Sequence, residues 1–178
     1  PIVPYVVCVF HKKNKKLRSM LLNAFHEKYN HLTSIVYPSV KSLYEANFNY
    51  DVICIGSDQV WNYEKGYSLE PFFACFDKKG TKKISYASSI GLSSLSKEAE
   101  CVFKKELSGF AHLSVREQQA SELLENLLDR EVDVVLDPTL ILDNKEWLEV
   151  AKFDMCPKEK YVLVYIVTIK PCDYVLEV

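Results

Sequence analysis

Five short apolar runs rich in β-branched residues, Asp51–Ile55, Lys83–Ala87, His112–Val115, Val132–Leu136 and Tyr161–Thr168, punctuate the chain, and each gives way to polar or glycine-containing sequence. Helical patterns lie between them. Apolar strands alternating with amphipathic helices predict a mostly parallel sheet covered on both faces, because two parallel strands need a long crossover between them, usually a helix. Tyr5–Phe10 is a further strand candidate, whole or as a remnant.

The intervening helices are readable from spacing. Leu17, Met20, Leu21, Ala24 and Phe25 recur at intervals of three and four and predict a helix over 17–29 with one buried face. A second helix is expected from Ser96, a good N-cap followed by Glu98 and Glu100 in the first turn, through Val102, Phe103 and Leu107 to a stop at Gly109. A third, from Glu117 to about Leu128, carries Ala120, Leu123, Leu124 and Leu127 and lies between two strand candidates. His112–Leu136 is therefore a βαβ unit, whose connection is expected to be right-handed. A further helical segment is expected around Trp147–Val150, followed by a polar break at Asp154–Glu159.

The chain has 178 residues, 48% hydrophobic and 26% charged, which excludes disorder across its length and allows one full domain and the start of another. It opens on Pro1 and runs out soon after its last apolar strand, so a piece of a longer chain is expected, with 1–156 as one domain and 157–178 as the start of a second. Charge is nearly balanced, 22 Lys and Arg against 24 Asp and Glu. Nucleic-acid binding normally demands a basic excess, because affinity comes from neutralising phosphates, so that class is set aside. No window approaches the ~20 apolar residues of a membrane span, and no signal peptide is visible. A cytoplasmic location is expected. Six cysteines, Cys8, Cys54, Cys75, Cys101, Cys156 and Cys172, form no Cys-x-x-Cys pair, and buried reduced thiols are expected rather than disulfides or zinc ligands.

The segments with chemical content sit where the strands end. In Asp51-Val-Ile-Cys-Ile-Gly-Ser-Asp-Gln-Val-Trp-Asn62 a strand feeds a turn in which Gly56 permits a positive φ and Ser57 or Asp58 can cap a subsequent helical turn. Lys83-Ile-Ser-Tyr-Ala-Ser-Ser-Ile-Gly91 ends in Ser88, Ser89 and Gly91. His112-Leu-Ser-Val-Arg-Glu117 places Arg116 and Glu117 at a helix start, and Val134-Val-Leu-Asp-Pro-Thr139 places Asp137 and Thr139 in the equivalent position. Ligands of open parallel sheets bind at the carboxyl ends of the strands, so four polar clusters facing one crevice are expected. Capping and turning alone is the competing use of these residues.

Arg116 is the most informative single position. A cation at a helix N-terminus opposes the dipole unless an anion compensates. Glu117 can be that anion in a structural ion pair; alternatively the guanidinium holds a carboxylate or phosphate of a ligand. Trp61 and Asn62 can face a sugar, although a tryptophan here also suits the core. The basic run His11-Lys-Lys-Asn-Lys-Lys-Leu-Arg18 is a solvated face or a contact with an anionic surface. None of the four histidines has metal-ligand spacing, and no metal site is expected. Dinucleotide, P-loop and Gly-x-Ser-x-Gly signatures are absent.

Taken in order, Tyr50-Asp51 into Gly56-Ser-Asp-Gln-Val-Trp-Asn62, Ile84-Ser-Tyr-Ala-Ser-Ser-Ile-Gly91, Leu113-Ser-Val-Arg-Glu117 and Leu136-Asp-Pro-Thr139 resemble the polysaccharide pyruvyl transferase family over roughly residues 17–168. The resemblance implies an α/β fold with a doubly wound, mostly parallel, Rossmann-like sheet, truncated here to the N-terminal, acceptor-side domain of a GT-B-like enzyme with an eroded start. It implies transfer of a pyruvyl group from phosphoenolpyruvate to a sugar of a cell-surface polysaccharide or glycolipid precursor, with release of phosphate. Phosphoenolpyruvate is then a co-substrate, with no other cofactor. Arg116 would bind the anion, and Asp58 or Glu117 would move a proton or orient a hydroxyl. Gly56, Ser57, Gln59, Trp61, Asn62, Ser88, Ser89 and Asp137 would line the substrate. A lipid-linked acceptor would bring the protein to the inner membrane face, and the isolated chain would be inactive without its second domain. A nucleotide-sugar glycosyltransferase and a non-catalytic interaction domain of the same fold are the alternatives.

Overall fold

The computed structural model describes residues 5–8, 15–151, 156 and 158–164. They divide into two compact units, one drawn from Pro1–Ile35 and Val150–Val178 and the other Val36–Glu149. In the first, β1 (Tyr5–Cys8) pairs in parallel with β6 (Tyr161–Val164), Tyr5 opposite Tyr161, and α1 spans Lys15–Tyr29. The α1 helix is where spacing places it, but its apolar face is not buried: Met20, Leu21 and Phe25 are about half exposed. Three consecutive apolar residues, Met20, Leu21 and Leu22, spread around more than half the helix, so no single stripe collects the apolar surface. Residues 11–14 of the basic run and 154, 155 and 157 of the polar break lie outside the described residues, and 15–18 of the basic run form the start of α1.

The second unit contains α2 (Val40–Glu45), β2 (Val52–Ile55), β3 (Lys82–Ser85), α3 (Lys97–Leu107), β4 (Ser114–Val115), α4 (Gln118–Leu128), β5 (Asp133–Val134) and α5 (Asn144–Val150). The strands β2 to β5 lie in sequence order and all pairings are parallel. The fold is thus mixed α/β with parallel strands, as the alternation of runs and helices predicts. Cover on both faces holds only at the centre. Both residues of β4 are buried, whereas β2 buries Ile53 and Ile55 and exposes Val52 and Cys54, and β5 is exposed. An outer strand has a neighbour on one side only, and less of it is enclosed.

The core forms between the strands and the two crossover helices. On α3, Ser96 caps the start by accepting from the Ala99 N–H at 3.2 Å, and Ala99, Phe103 and Leu107 form the buried face. The helix ends at Leu107, before Gly109, which does not adopt a positive φ. On α4 the buried residues are Ala120, Ser121 and Leu124. Side chains then lock the βαβ unit: Ser121 Oγ donates to the Val132 carbonyl at 2.7 Å, Glu125 accepts from the Val132 N–H, and Arg130 donates to the Phe110 carbonyl at 2.7 Å. Of the cysteines expected to be buried, Cys54, Cys101 and Cys156 are exposed. Cys75 is half-buried, its Sγ donating to Glu106 at 3.2 Å, and burial pushes its pKa up to about 11.

Between β3 and β4 the pairing is interrupted. Ile84 bridges His112 and Ser88 bridges Val115, so the chain leaving β3 carries one more residue between the two bridges than the chain entering β4, a bulge with Ala87 at φ +50°. Two buried serines replace the lost ladder. Ser85 Oγ accepts from the Ser114 N–H at 2.8 Å and donates to the Ser114 carbonyl, while Ser114 Oγ donates to the Ser85 carbonyl at 2.8 Å and accepts from the Ala87 N–H. Ser114→Ala would strand a buried carbonyl and a buried N–H. We expect it to cost about 2 kcal/mol in chemical denaturation; a loss within error of zero would contradict this role.

Candidate functional site

The carboxyl ends of β2, β4 and β5 converge on one guanidinium. β2 leads through Gly56 and Ser57 to Asp58, β4 leads directly into Arg116 and Glu117, and β5 leads to Asp137. Arg116 Nη1 donates to Asp137 Oδ2 at 2.8 Å, Nε to Glu117 Oε1 at 3.0 Å and Nη2 to Asp58 Oδ1 at 3.3 Å. All three nitrogens of the guanidinium are engaged. These hydrogen bonds, the one to Asp137 foremost, hold the Arg116 pKa above its ordinary value.

This occupancy bears on the expectation that Arg116 grips a ligand anion. Each nitrogen of its fork already donates to a carboxylate, and three carboxylates against one guanidinium leave the ionised cluster two charges negative. Such a field repels phosphate and attracts hydroxyl donors. The ion pair with Glu117 is present, and it is one of three.

The carboxylates differ in what they have free. Asp137 has nothing to spare: Oδ1 accepts from the Thr139 N–H at 3.0 Å and the Thr139 hydroxyl at 2.7 Å, while Oδ2 is on Arg116. Those contacts, Thr139 before Arg116, hold its pKa down at about 2. Asp137 is therefore a fixed anion that positions the guanidinium, not a proton carrier. Glu117 has one oxygen on Arg116 and the other, Oε2, buried without a partner. Asp58 is the accessible member, its side chain 85% exposed and its backbone left-handed at φ +67°, a conformation aspartate tolerates better than most residues.

The depressed Asp137 pKa gives a pH prediction. A carboxyl whose pKa falls on folding adds stability above its unfolded pKa, and that stability is lost as pH drops through the folded value. Stability supplied by Asp137 should therefore disappear between about pH 4 and about pH 2. Asp137→Asn should flatten that part of the acid unfolding curve; a variant curve parallel to wild type down to about pH 2 would refute the assignment.

The remaining sequence-selected residues hold the loops in place. Gly56 sits at φ +133° against the backbone of Tyr86. Ser88 is fully buried, bridges both Asp58 and Val115, and donates from Oγ to the Ile55 carbonyl at 3.0 Å, so it ties three strands together at the crevice edge. Ser89 is also fully buried, its Oγ without a partner. Trp61 has 0% exposure: its indole N–H donates to the Phe72 carbonyl at 2.9 Å and its ring lies between Phe73 and Phe110. The ring offers no face to a sugar. Asn62 caps a short 3-10 turn at Glu64 and contacts Gln59 at 3.4 Å. Of the residues nominated from sequence, Asp58, Arg116, Glu117 and Asp137 meet in one cluster, with Ser88 linking the strand ends beneath. Among the described residues, no group of His, Cys, Asp or Glu is arranged to hold a metal ion, and no helix is long and apolar enough to cross a membrane.

Sequence reasoning missed the Ser85–Ser114 exchange and a wall beside Asp58 formed by Lys65 and Tyr67. The only signal for the wall was the aromatic pair Tyr63 and Tyr67 around Gly66, just after the motif that ends at Asn62. No curated protein and no solved structure gives a significant match to the chain. A family model described as polysaccharide pyruvyl transferase matches residues 3–177. That match covers all four strand-end motifs and the acidic cluster they build, and the chain belongs to the polysaccharide pyruvyl transferase family.

Proposed function

We propose that this domain serves the acceptor side of a transfer of the pyruvyl group from phosphoenolpyruvate to two hydroxyls of a saccharide. One observation carries the reading: three strand ends deliver carboxylates to Arg116 and leave Asp58 exposed beside them. A net-negative cluster with an accessible carboxylate suits neutral hydroxyls, which it can orient and deprotonate. The reaction protonates the methylene carbon of phosphoenolpyruvate, making its central carbon electrophilic. The two hydroxyl oxygens then bond to that carbon as the bond to phosphate breaks. Of the two hydroxyl protons, one is balanced by the new methyl group and one leaves with phosphate. Asp58 would take the hydroxyl proton, with Glu117 assisting and Arg116 holding both carboxylates in place.

The cations that phosphoenolpyruvate requires would come from a second domain opposite this one in a GT-B-like arrangement, since the cluster here is itself anionic. A cytoplasmic enzyme acting on a lipid-linked precursor at the inner membrane face fits this chemistry. The test uses the full-length protein, phosphoenolpyruvate and oligosaccharides released from the producing cell's surface polysaccharide and freed of existing ketals by mild acid. Phosphate release and a new ketal methyl signal by NMR are expected, and Asp58→Asn should lower kcat by about 10²–10⁴-fold while melting near wild type. Absence of any ketal, with stabilisation by nucleotide sugars in place of phosphoenolpyruvate, would overturn the reading in favour of glycosyl transfer. An unchanged rate in Asp58→Asn would remove Asp58 from the chemistry.

A further inference from the structure

A concavity of about 480 Å3 opens beside Asp58, lined by Asp58, Gln59, Val60, Lys65, Tyr67 and Phe72. We infer that it is a subsite for a second, neutral sugar ring of the acceptor, with Tyr67 as its aromatic platform and Lys65 and Asp58 as its polar ends. The inference rests on the saccharide-acceptor reading above and adds where the chain next to the modified sugar lies.

Tyr67 is fixed in place although 45% exposed. Its hydroxyl donates to the Gln59 carbonyl at 2.8 Å and its ring meets Phe72 edge to face, with centroids 5.7 Å apart. A ring pinned at both ends loses little freedom when a ligand settles on it. The C–H face of a pyranose is apolar with slightly positive hydrogens, which suits the negative face of an aromatic ring. The polar groups complement each other. Asp58 only accepts hydrogen bonds, Lys65 only donates, and sugar hydroxyls do both. Lys65 makes no ion pair among the described residues, so its ammonium is uncommitted. Lys65 offsets one charge of the acidic cluster to which Asp58 belongs, and the field left beside the concavity is still negative, which favours an uncharged ring over a phosphate or carboxylate. The volume is within the range of small-ligand pockets.

The test is saturation-transfer NMR and calorimetry on the full-length protein, with the neutral fraction of the oligosaccharides released from the producing cell's surface polysaccharide, stripped of ketals by mild acid, as probe. Wild type should bind this fraction, and affinity should change less than about two-fold between ~0.05 and ~0.5 M salt, as expected for a ligand without net charge. Tyr67→Ala should weaken binding about ten-fold, Tyr67→Phe should stay within about three-fold because the platform remains, and Lys65→Ala should lie between them. Binding by Tyr67→Ala equal to wild type, or a steep salt dependence, would overturn the subsite. If Tyr67→Ala fails to fold, equal binding by Lys65→Ala and wild type does the same. The two readings separate cleanly: ketal formation with Tyr67→Ala unimpaired sinks the subsite alone, and Tyr67-dependent binding without any ketal sinks the transfer reaction alone.

Discussion

Arg116→Ala is expected to destabilise the domain by about 2–3 kcal/mol and to lower kcat/KM at least about 10²-fold. The guanidinium is the only cation joining Asp58, Glu117 and Asp137 among the described residues. Without it, three carboxylates from three strand ends repel one another. The stability figure is set below that for a fully buried ion pair because Asp58 is largely in water, where screening weakens its share. Repulsion gives the loss a signature that a lost packing contact lacks. Acid removes that repulsion by neutralising carboxylates, so the deficit should shrink as the pH is lowered. Arg116→Lys should recover part of the stability but little of the activity, since an ammonium is a point charge and cannot span three partners from one plane. A pH-independent deficit in thermal melts would show that Arg116 acts by packing alone.

Gly56→Ala is expected to prevent folding of the Val36–Glu149 unit. The residue lies at φ +133°, outside the range of side-chain-bearing residues, and a Cβ there would collide with the Tyr86 carbonyl oxygen and touch Ser88 Oγ. The obstacle is backbone of the neighbouring strand, held where the Tyr86 N–H donates to the Ile55 carbonyl at 2.9 Å, so no side chain can swing aside. Opening the β2–β3 pair at that point would also move Asp58. We expect a cost of about 3 kcal/mol or more, read as loss of soluble protein or of the cooperative melt. A melting temperature within about 2 °C of wild type would refute the close approach. Gly91 also has a positive φ, but the groups a Cβ would meet are the side chains of Gln59 and Asn62, which can move, so Gly91→Ala should be milder.

Both predictions concern residues that pattern alone singles out, though one is used differently from expectation. Gly56 follows an apolar run and precedes a cap, which is enough to mark a turn needing unusual backbone. Arg116 and Glu117 at a strand-to-helix junction are legible for the same reason: the period changes there, and a cation at a helix start needs an anion. Which anion is not legible. Asp58 and Asp137 are 58 and 21 residues from Arg116, and only the parallel alignment of β2, β4 and β5 brings all three together. Trp61 shows the same limit. Its neighbours in sequence, Val60 and Asn62, point both ways, whereas its neighbours in space are Phe73 and Phe110, and long-range packing decides that it is core.

The Ser85–Ser114 exchange lies deeper still. Each serine sits in a strand candidate where a small polar residue carries no particular signal, and its meaning arises only because a one-residue bulge at Ala87 breaks the ladder beside it. Local sequence determined the order and type of elements, because strand and helix periods and caps act over a few residues. It also determined the strand-end motifs that mark the family. Tertiary structure alone decided that Arg116 is held by three carboxylates, that Asp58 is the accessible one and that Tyr67 borders it. Those are sums of contacts between distant segments, and their energies depend on distance and burial that no local pattern records.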